Sequence, residues 1–260
     1  MPGPEDDLNL LIQAAHEAGD IATRFWRQDP QVWDKGEAGP VTEADLAVNT
    51  HLERLLRQAR PDYGWLSEES ADDPSRLDAQ HVFIIDPIDG TRAFIDGQEG
   101  FSHSLAVAQG DRIVAAAVFL PVRGQLYTAF ADGPALLNGQ AIAPSAADID
   151  GASVLTNKPA LDPVFWRGGI VPPVQRTFRP SLAWRLSLVA EGRFDAALSL
   201  RAAWEWDIAA GALIAERAGA MVSDMRGQRM RFNNAAARVD GLVIAGPHLH
   251  GQIMARLALL

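Results

Sequence analysis

The 260-residue chain contains no cysteine, which excludes disulfides, thiolate zinc sites, iron–sulfur clusters and cysteine nucleophiles together. It lacks any run of about 18 apolar residues, the length a membrane-spanning helix needs. The start, Met1-Pro2-Gly3-Pro4-Glu5-Asp6-Asp7, is acidic and unlike a secretory signal. Positive charge is scarce: 33 Asp and Glu face 23 Lys and Arg, for a net charge of −10, and the bases form no run. General attraction to a nucleic-acid polymer or an anionic membrane is therefore not expected. Internal repeats and low-complexity tracts are missing too. What is present, 48% hydrophobic and 22% charged residues, is the composition of a folded chain. A soluble, cytoplasmic protein with a sizeable core is the expectation.

Apolar positions Leu8, Leu11, Ile12, Ala15, Ala18, Ala22 and Phe25 recur at helical spacing. Residues 34–40 read as a polar loop. A second helix begins at Thr42, where Thr42-Glu43-Ala44-Asp45 resembles a capping box with a shortened acid, and it ends before Pro61. A short strand, Gly64-Trp65-Leu66, runs into Ser67-Glu68-Glu69. The apolar run Val82-Phe83-Ile84-Ile85 predicts a buried strand that stops at Asp86. Strand patterns at 104–108, 113–120 and 125–130, with an Asn138-Gly139 turn, predict an antiparallel meander. After a polar break near 144–151 the pattern alternates. Strands at Val154-Leu155, 194–200 and 242–245 are interleaved with helices from Ser181 and from Asp207, the latter closed by Gly219. Residues 1–148 thus read as an α+β half and 149–260 as an α/β half.

Acids collect at the ends of these elements: Glu68 and Glu69 after one strand, Asp86 and Asp89 after another, Asp207 at a helix start. Taken alone, D-x-x-D-G is often only a tight turn. Several carboxylates held close in a buried setting, however, repel one another unless a cation lies between them. Their hard oxygens suit Mg²⁺, Mn²⁺ or Ca²⁺. A helix starting at Gly90-Thr91 would aim free N–H groups at the same point, where a phosphate fits.

The string Asp86-Pro87-Ile88-Asp89-Gly90-Thr91 resembles the signature of the Mg²⁺-dependent, lithium-sensitive phosphomonoesterase superfamily, which includes inositol monophosphatases and 3′(2′),5′-bisphosphate nucleotidases. Trp206-Asp207-Ile208-Ala209-Ala210-Gly211 is similar to its second signature, and Ser67-Glu68-Glu69 to its third segment. The resemblance spans about residues 8–257. It implies a layered α–β–α–β–α fold and two or three Mg²⁺ ions. One ion would be held by Glu68, Asp86 and the Ile88 carbonyl, and a second by Asp86, Asp89 and Asp207. Asp45 would orient Thr91, which with Glu68 would activate a water for in-line attack on phosphorus. The amides of Gly90 and Thr91 would hold the phosphate. The family also implies a homodimer.

For the substrate, Ser67 and Leu200 stand where inositol monophosphatases usually carry Gly and Glu. With Ser187-Leu188-Val189-Ala190-Glu191-Gly192, they look closer to bisphosphate nucleotidases. Leu200 is read as packing on an adenine, with Arg201 and Trp204 near the pocket mouth. This favours 3′-phosphoadenosine 5′-phosphate as the small phosphorylated substrate, with inositol 1-phosphate the alternative. A non-catalytic phosphometabolite sensor on the same scaffold would be expected to lack a ligand or the Thr, and none is lacking.

Overall fold

The computed structural model describes residues 2–36 and 39–258. Glu37 and Ala38, in the middle of the expected loop 34–40, lie outside the described residues. The rest of that loop connects a two-stranded ribbon, with Val32–Asp34 antiparallel to Pro40–Thr42.

Six α-helices are assigned among the described residues: α1 (Pro4–Phe25), α2 (Glu43–Ala59), α3 (Thr91–Ile95), α4 (Leu182–Ala190), α5 (Glu205–Ala218) and α6 (Pro247–Arg256). None is long and apolar enough to cross a membrane. The capping box expected at α2 is formed: Asp45 N–H donates to Thr42 Oγ1, and the Thr42 N–H donates to Asp45 Oδ2 at 2.8 Å. Gly219 closes α5 in the left-handed region, at φ 99°, where a side chain would be strained.

The first sheet has seven strands in chain order: Gly64–Ser67, His81–Asp89, Ser102–Gln109, Arg112–Leu120, Gln125–Phe130, Leu136–Leu137 and Gln140–Ala141. Its first pair is parallel and the others antiparallel. The expected meander is present, with the Asn138-Gly139 turn between its last two strands. The second sheet is ordered Gln175–Thr177, Ser153–Thr156, Ala196–Ser199, Leu242–Ala245, Met221–Ser223. It is mixed, because Leu242–Ala245 runs antiparallel to both its neighbours. Its two edge strands escape the sequence pattern, being three residues each and partly exposed.

The period-2 alternation of strand side chains sorts the core into three bodies and so builds five layers. Phe83, Ile85, Leu105, Val107, Ala115 and Ala117 face α1 and α2. Their neighbours Val82, Ile84, Ala106, Ala116 and Val118 face the opposite way. They join α4 and α5 and the inner face of the second sheet, Leu155, Ala197, Leu242 and Ile244. The outer face of that sheet, Val154, Leu198 and Val243, packs on Leu249 and Ile253 of α6. The order is α–β–α–β–α, and the middle helices share one core with both sheets.

That middle layer is tight. A Cβ on Gly211 of α5 would stand 2.7 Å from the Leu186 Cβ of α4 and 3.1 Å from the Ala183 carbonyl oxygen. Overpacking of this kind costs about 1–3 kcal/mol, more than the few tenths that Val gains over Gly in helix propensity. Gly211→Val is therefore expected to lower Tm by about 2–12 °C, at about 2–4 °C per kcal/mol for a chain of this size. Thermal unfolding followed by circular dichroism checks it, and an unchanged or higher Tm would contradict this packing.

Candidate active site

The strand His81–Asp89 is buried along its whole length and ends in the turn that carries Asp86 and Asp89. The adjacent parallel strand Gly64–Ser67 ends one residue before Glu68, whose N–H donates to the Ile85 carbonyl at 3.2 Å. Helix α5, entering from the other sheet's side, presents Asp207 in its first turn. One carboxylate oxygen from each of Glu68, Asp86 and Asp207 lies within 4.8 Å of the others. Asp86 Oδ1 is buried without a hydrogen-bond partner. Oxygen-only donors, one of them orphaned, converging from three segments fit a hard divalent cation.

Removal from water is the main reason these acids bind their protons more tightly than free carboxyls do. Burial first, then the neighbouring carboxylates Glu68, Asp89 and Asp207, raise the Asp86 carboxyl well above the ordinary range. Burial and then Asp89 and Glu68 do the same to Asp207. Glu68 is pushed up to about 7, chiefly by burial, although the Lys35 ammonium pulls it back. Lys35 was not singled out from the sequence. It reaches in from the ribbon, with Nζ 3.1 Å from Glu68 Oε1 and 2.6 Å from Glu69 Oε1. A single Lys in a polar loop carries no signal that it will meet acids more than 30 positions away.

Asp89 stands apart from the close trio. Its Oδ2 accepts from Ser181 Oγ and from the Ala183 N–H, both at 2.7 Å. It thereby neutralises the start of α4, a second role the sequence did not reveal. Asp89 and the trio nevertheless line one cleft of about 570 Å³, together with Lys35, Ile88, Gly90, Thr91, Arg92, Phe178, Pro180, Trp204 and Trp206. Gly90 precedes α3 at φ 97°. The hydroxyl of Thr91 lies 3.1 Å from the Ile88 carbonyl and 3.3 Å from Asp45 Oδ1. Burial lifts the Asp45 carboxyl to about 6 against the bonds from Thr42. Beneath the turn, the Nδ1 of buried His103 bonds the Pro87 carbonyl. Burial lowers that imidazole to about 4 and keeps it neutral.

Two expected substrate contacts do not reach this cleft. Leu200 is buried in the outer core of the second sheet with Leu198, Val243 and Leu249. It borders a different cavity, beside Phe165 and Met225. Arg201 is exposed and lines neither cavity. The reason is local: the chain from Ser199 to Ala202 turns over the outer side of the sheet before Ala203–Trp204 pairs with Arg238–Val239. Trp204 does reach the cleft, but Trp206 stacks on one face at 4.6 Å and the Arg238 guanidinium covers the other at 3.7 Å. It offers an edge, not a platform.

A carboxyl with a pKa above its unfolded value binds its proton more tightly in the folded chain. Without a cation, stability therefore falls as pH rises from the unfolded values near ~4. The loss continues through about 6 for Asp45 and about 7 for Glu68. Asp86→Asn, which keeps the shape without the charge, is expected to raise the Tm of EDTA-treated protein at pH 7.5 by about 3 °C or more. At pH 5, much closer to the unfolded-state carboxyl value, the change should be much smaller. Equal shifts at the two pH values would contradict the placement of Asp86 among buried acids.

Comparison with known proteins agrees with this geometry. The model of the inositol monophosphatase family matches residues 4–258. The inositol-1-monophosphatase of Rhizobium meliloti is 35% identical, over 85% of this chain and 86% of its own. The Nus factor SuhB of Pseudomonas aeruginosa is 34% identical, over 85% and 86%. The solved structure of the Thermotoga maritima inositol monophosphatase superposes with a TM-score of 0.82 at 25% identity, covering 96% of each chain. With these sequence motifs, five layers and a cleft of converging carboxylates, the chain belongs to the inositol monophosphatase family, and with it to the metal-dependent phosphoric monoester hydrolases.

Proposed function

We propose that the protein hydrolyses the phosphate monoester of a small cyclic polyol, inositol 1-phosphate being the substrate, with Mg²⁺ held by Glu68, Asp86 and Asp207 and a second ion drawing on Asp89. The observation that carries this reading is the convergence of Glu68, Asp86 and Asp207 beside the start of α3. Bound there, Mg²⁺ supplies Lewis-acid chemistry, offsetting charge on the phosphoryl oxygens and making water a better nucleophile. The remaining work falls to the chain. Thr91 Oγ1, shared between Asp45 and the Ile88 carbonyl, is placed to pass a proton to Asp45, whose pKa of about 6 suits an acceptor near neutrality. Gly90, lacking a side chain, lets the backbone approach the phosphate, and the first N–H groups of α3 have no partner within the helix. The carbonyl of Ile88 adds a neutral oxygen to the same rim.

The preference for a bisphosphate nucleotide that Leu200 suggested finds no support. Leu200 lies in the core on the far side of the second sheet, and Trp204 has no open face for a purine. The names of the relatives, inositol-1-monophosphatase among them, favour the polyol. An inositol phosphate demands a polar, shape-selective cleft. Lys35, Arg92 and Thr91 supply polar groups in one whose aromatic wall is fixed.

The test is inorganic phosphate release from inositol 1-phosphate and from 3′-phosphoadenosine 5′-phosphate, with Mg²⁺ and after EDTA. The expected result is a higher kcat/KM for inositol 1-phosphate, with activity abolished by EDTA and restored by Mg²⁺. Asp207→Asn should lower kcat by at least about 10²-fold with the fold intact, the scale of losing an electrostatic element of the transition state. Leu200→Ala should leave the ratio of kcat/KM for the two substrates unchanged. Preference for the nucleotide, or full turnover in EDTA, would overturn the reading.

A further inference from the structure

Arg76 is a buried charge that lines no part of the cleft described above. Only 2% of it is exposed, a rare state for an arginine unless it is fully paired. It sits in the crossover between the strands Gly64–Ser67 and His81–Asp89, and its backbone presses on the first of them. A Cβ at Gly64 would stand 3.1 Å from the Arg76 Cα. Its guanidinium makes four bonds. Nε and Nη2 donate to the two carboxylate oxygens of Asp72 at 2.6 and 3.0 Å. Nη1 donates to Asn233 Oδ1 at 2.7 Å and Nη2 to the Asn234 carbonyl at 3.0 Å. The next link leads to the cleft. Glu205, fully buried, accepts the N–H groups of Asn233 and Asn234 at 2.6 and 2.9 Å. Glu205 is the first residue of α5, two positions before Asp207.

The chain of contacts therefore runs from the strand that delivers Glu68, through Arg76 and the 233–234 turn, to the helix start that delivers Asp207. Helix α5 packs on the first sheet through apolar side chains, but no backbone hydrogen-bond ladder joins its start to the strand of Glu68. We propose that Arg76 is a positioning residue of the acidic centre: its four-bonded fork locks the Glu68 strand against the start of α5 and so fixes the spacing of Glu68 and Asp207. An arginine is the side chain suited to this. It keeps its charge when buried and grips a carboxylate with two parallel bonds while its remaining N–H groups reach elsewhere. Residues bonded directly to metal ligands typically hold about 10–100-fold of metal affinity. Arg76 acts one link further out, so the low end, about tenfold, is the scale expected here.

The proposal rests on reading Glu68, Asp86 and Asp207 as a divalent-cation centre, and not on the identity of the substrate. Titration calorimetry with Mg²⁺ alone, on the wild-type protein and variants, tests it. Arg76→Met, of similar length but without donors, is expected to raise the Mg²⁺ Kd by at least about tenfold, while kcat at saturating Mg²⁺ stays within about threefold. Arg76→Lys, which restores the charge but not the fork, should fall between. Asn233→Gly removes one acceptor from Arg76, retains the backbone N–H that Glu205 uses, and suits the positive φ of 55° there. Its Kd should rise by a smaller factor, which keeps the test open if Arg76→Met does not fold. Ile253→Ala, in α6 and remote from the clasp, provides a destabilised control whose Kd should stay at the wild-type value. Wild-type Kd in folded Arg76→Met, or in Asn233→Gly should the first not fold, would make Arg76 a stabilising clamp only and overturn the proposal. Failure of the wild-type protein to bind Mg²⁺ would overturn the cation reading itself.

Discussion

Everything about the cleft follows from carboxylates packed where water cannot screen them. Glu68, Asp86 and Asp207 bring oxygens within 4.8 Å of one another, at which separation like charges repel by several kcal/mol in a medium less polar than water. No isolated loop would hold them so. The acids are instead fixed at the ends of elements whose other faces are buried: a strand with every residue inside the protein, its parallel neighbour, and a helix wedged between two sheets. The hydrophobic layers supply the free energy that the site opposes.

The means of restraint differ from acid to acid. Lys35 places a cation beside Glu68 and Glu69. Asp89 is steadied by the start of α4, where helix N–H groups and the Ser181 hydroxyl meet it. Asp86 has no such partner on one oxygen. In the same cleft, the stack of Arg238, Trp204 and Trp206 holds the aromatic rings in place before any ligand arrives. Less side-chain freedom then remains to be lost on binding.

Much of this was legible in the sequence because the signals are local. The run Val82 to Ile85 followed by Asp86-Pro87-Ile88-Asp89-Gly90 announces a buried strand ending in acids, and Thr42 with Asp45 announces a helix start. The five layers were legible through the family motifs more than through periodicity, since the second sheet has edge strands of only three residues. What escaped depends on long-range geometry. Lys35 meets its acids across more than 30 residues, Arg76 meets Asn233 across 157, and Asp89 meets the Ala183 N–H across 94. Leu200 shows the converse error. Its distance from Asp207 in sequence suggested the cleft, but a turn in the chain sends its side chain to the outer face of the sheet.

The positions of the acids along the chain also bear on how the protein is made. Asp45, Glu68, Asp86 and Asp89 are all synthesised long before Asp207, which joins them only when α5 enters between the two sheets. A nascent chain that has left the ribosome up to the first sheet holds an incomplete set of these acids. It also lacks the layer that excludes water from them. A cation that requires the whole set binds the native state in preference to every earlier one, and ligands of that kind pull folding to completion by mass action. Dividing the acids between early and late parts of the chain would thus make binding of a cation that needs all of them a mark of a finished molecule.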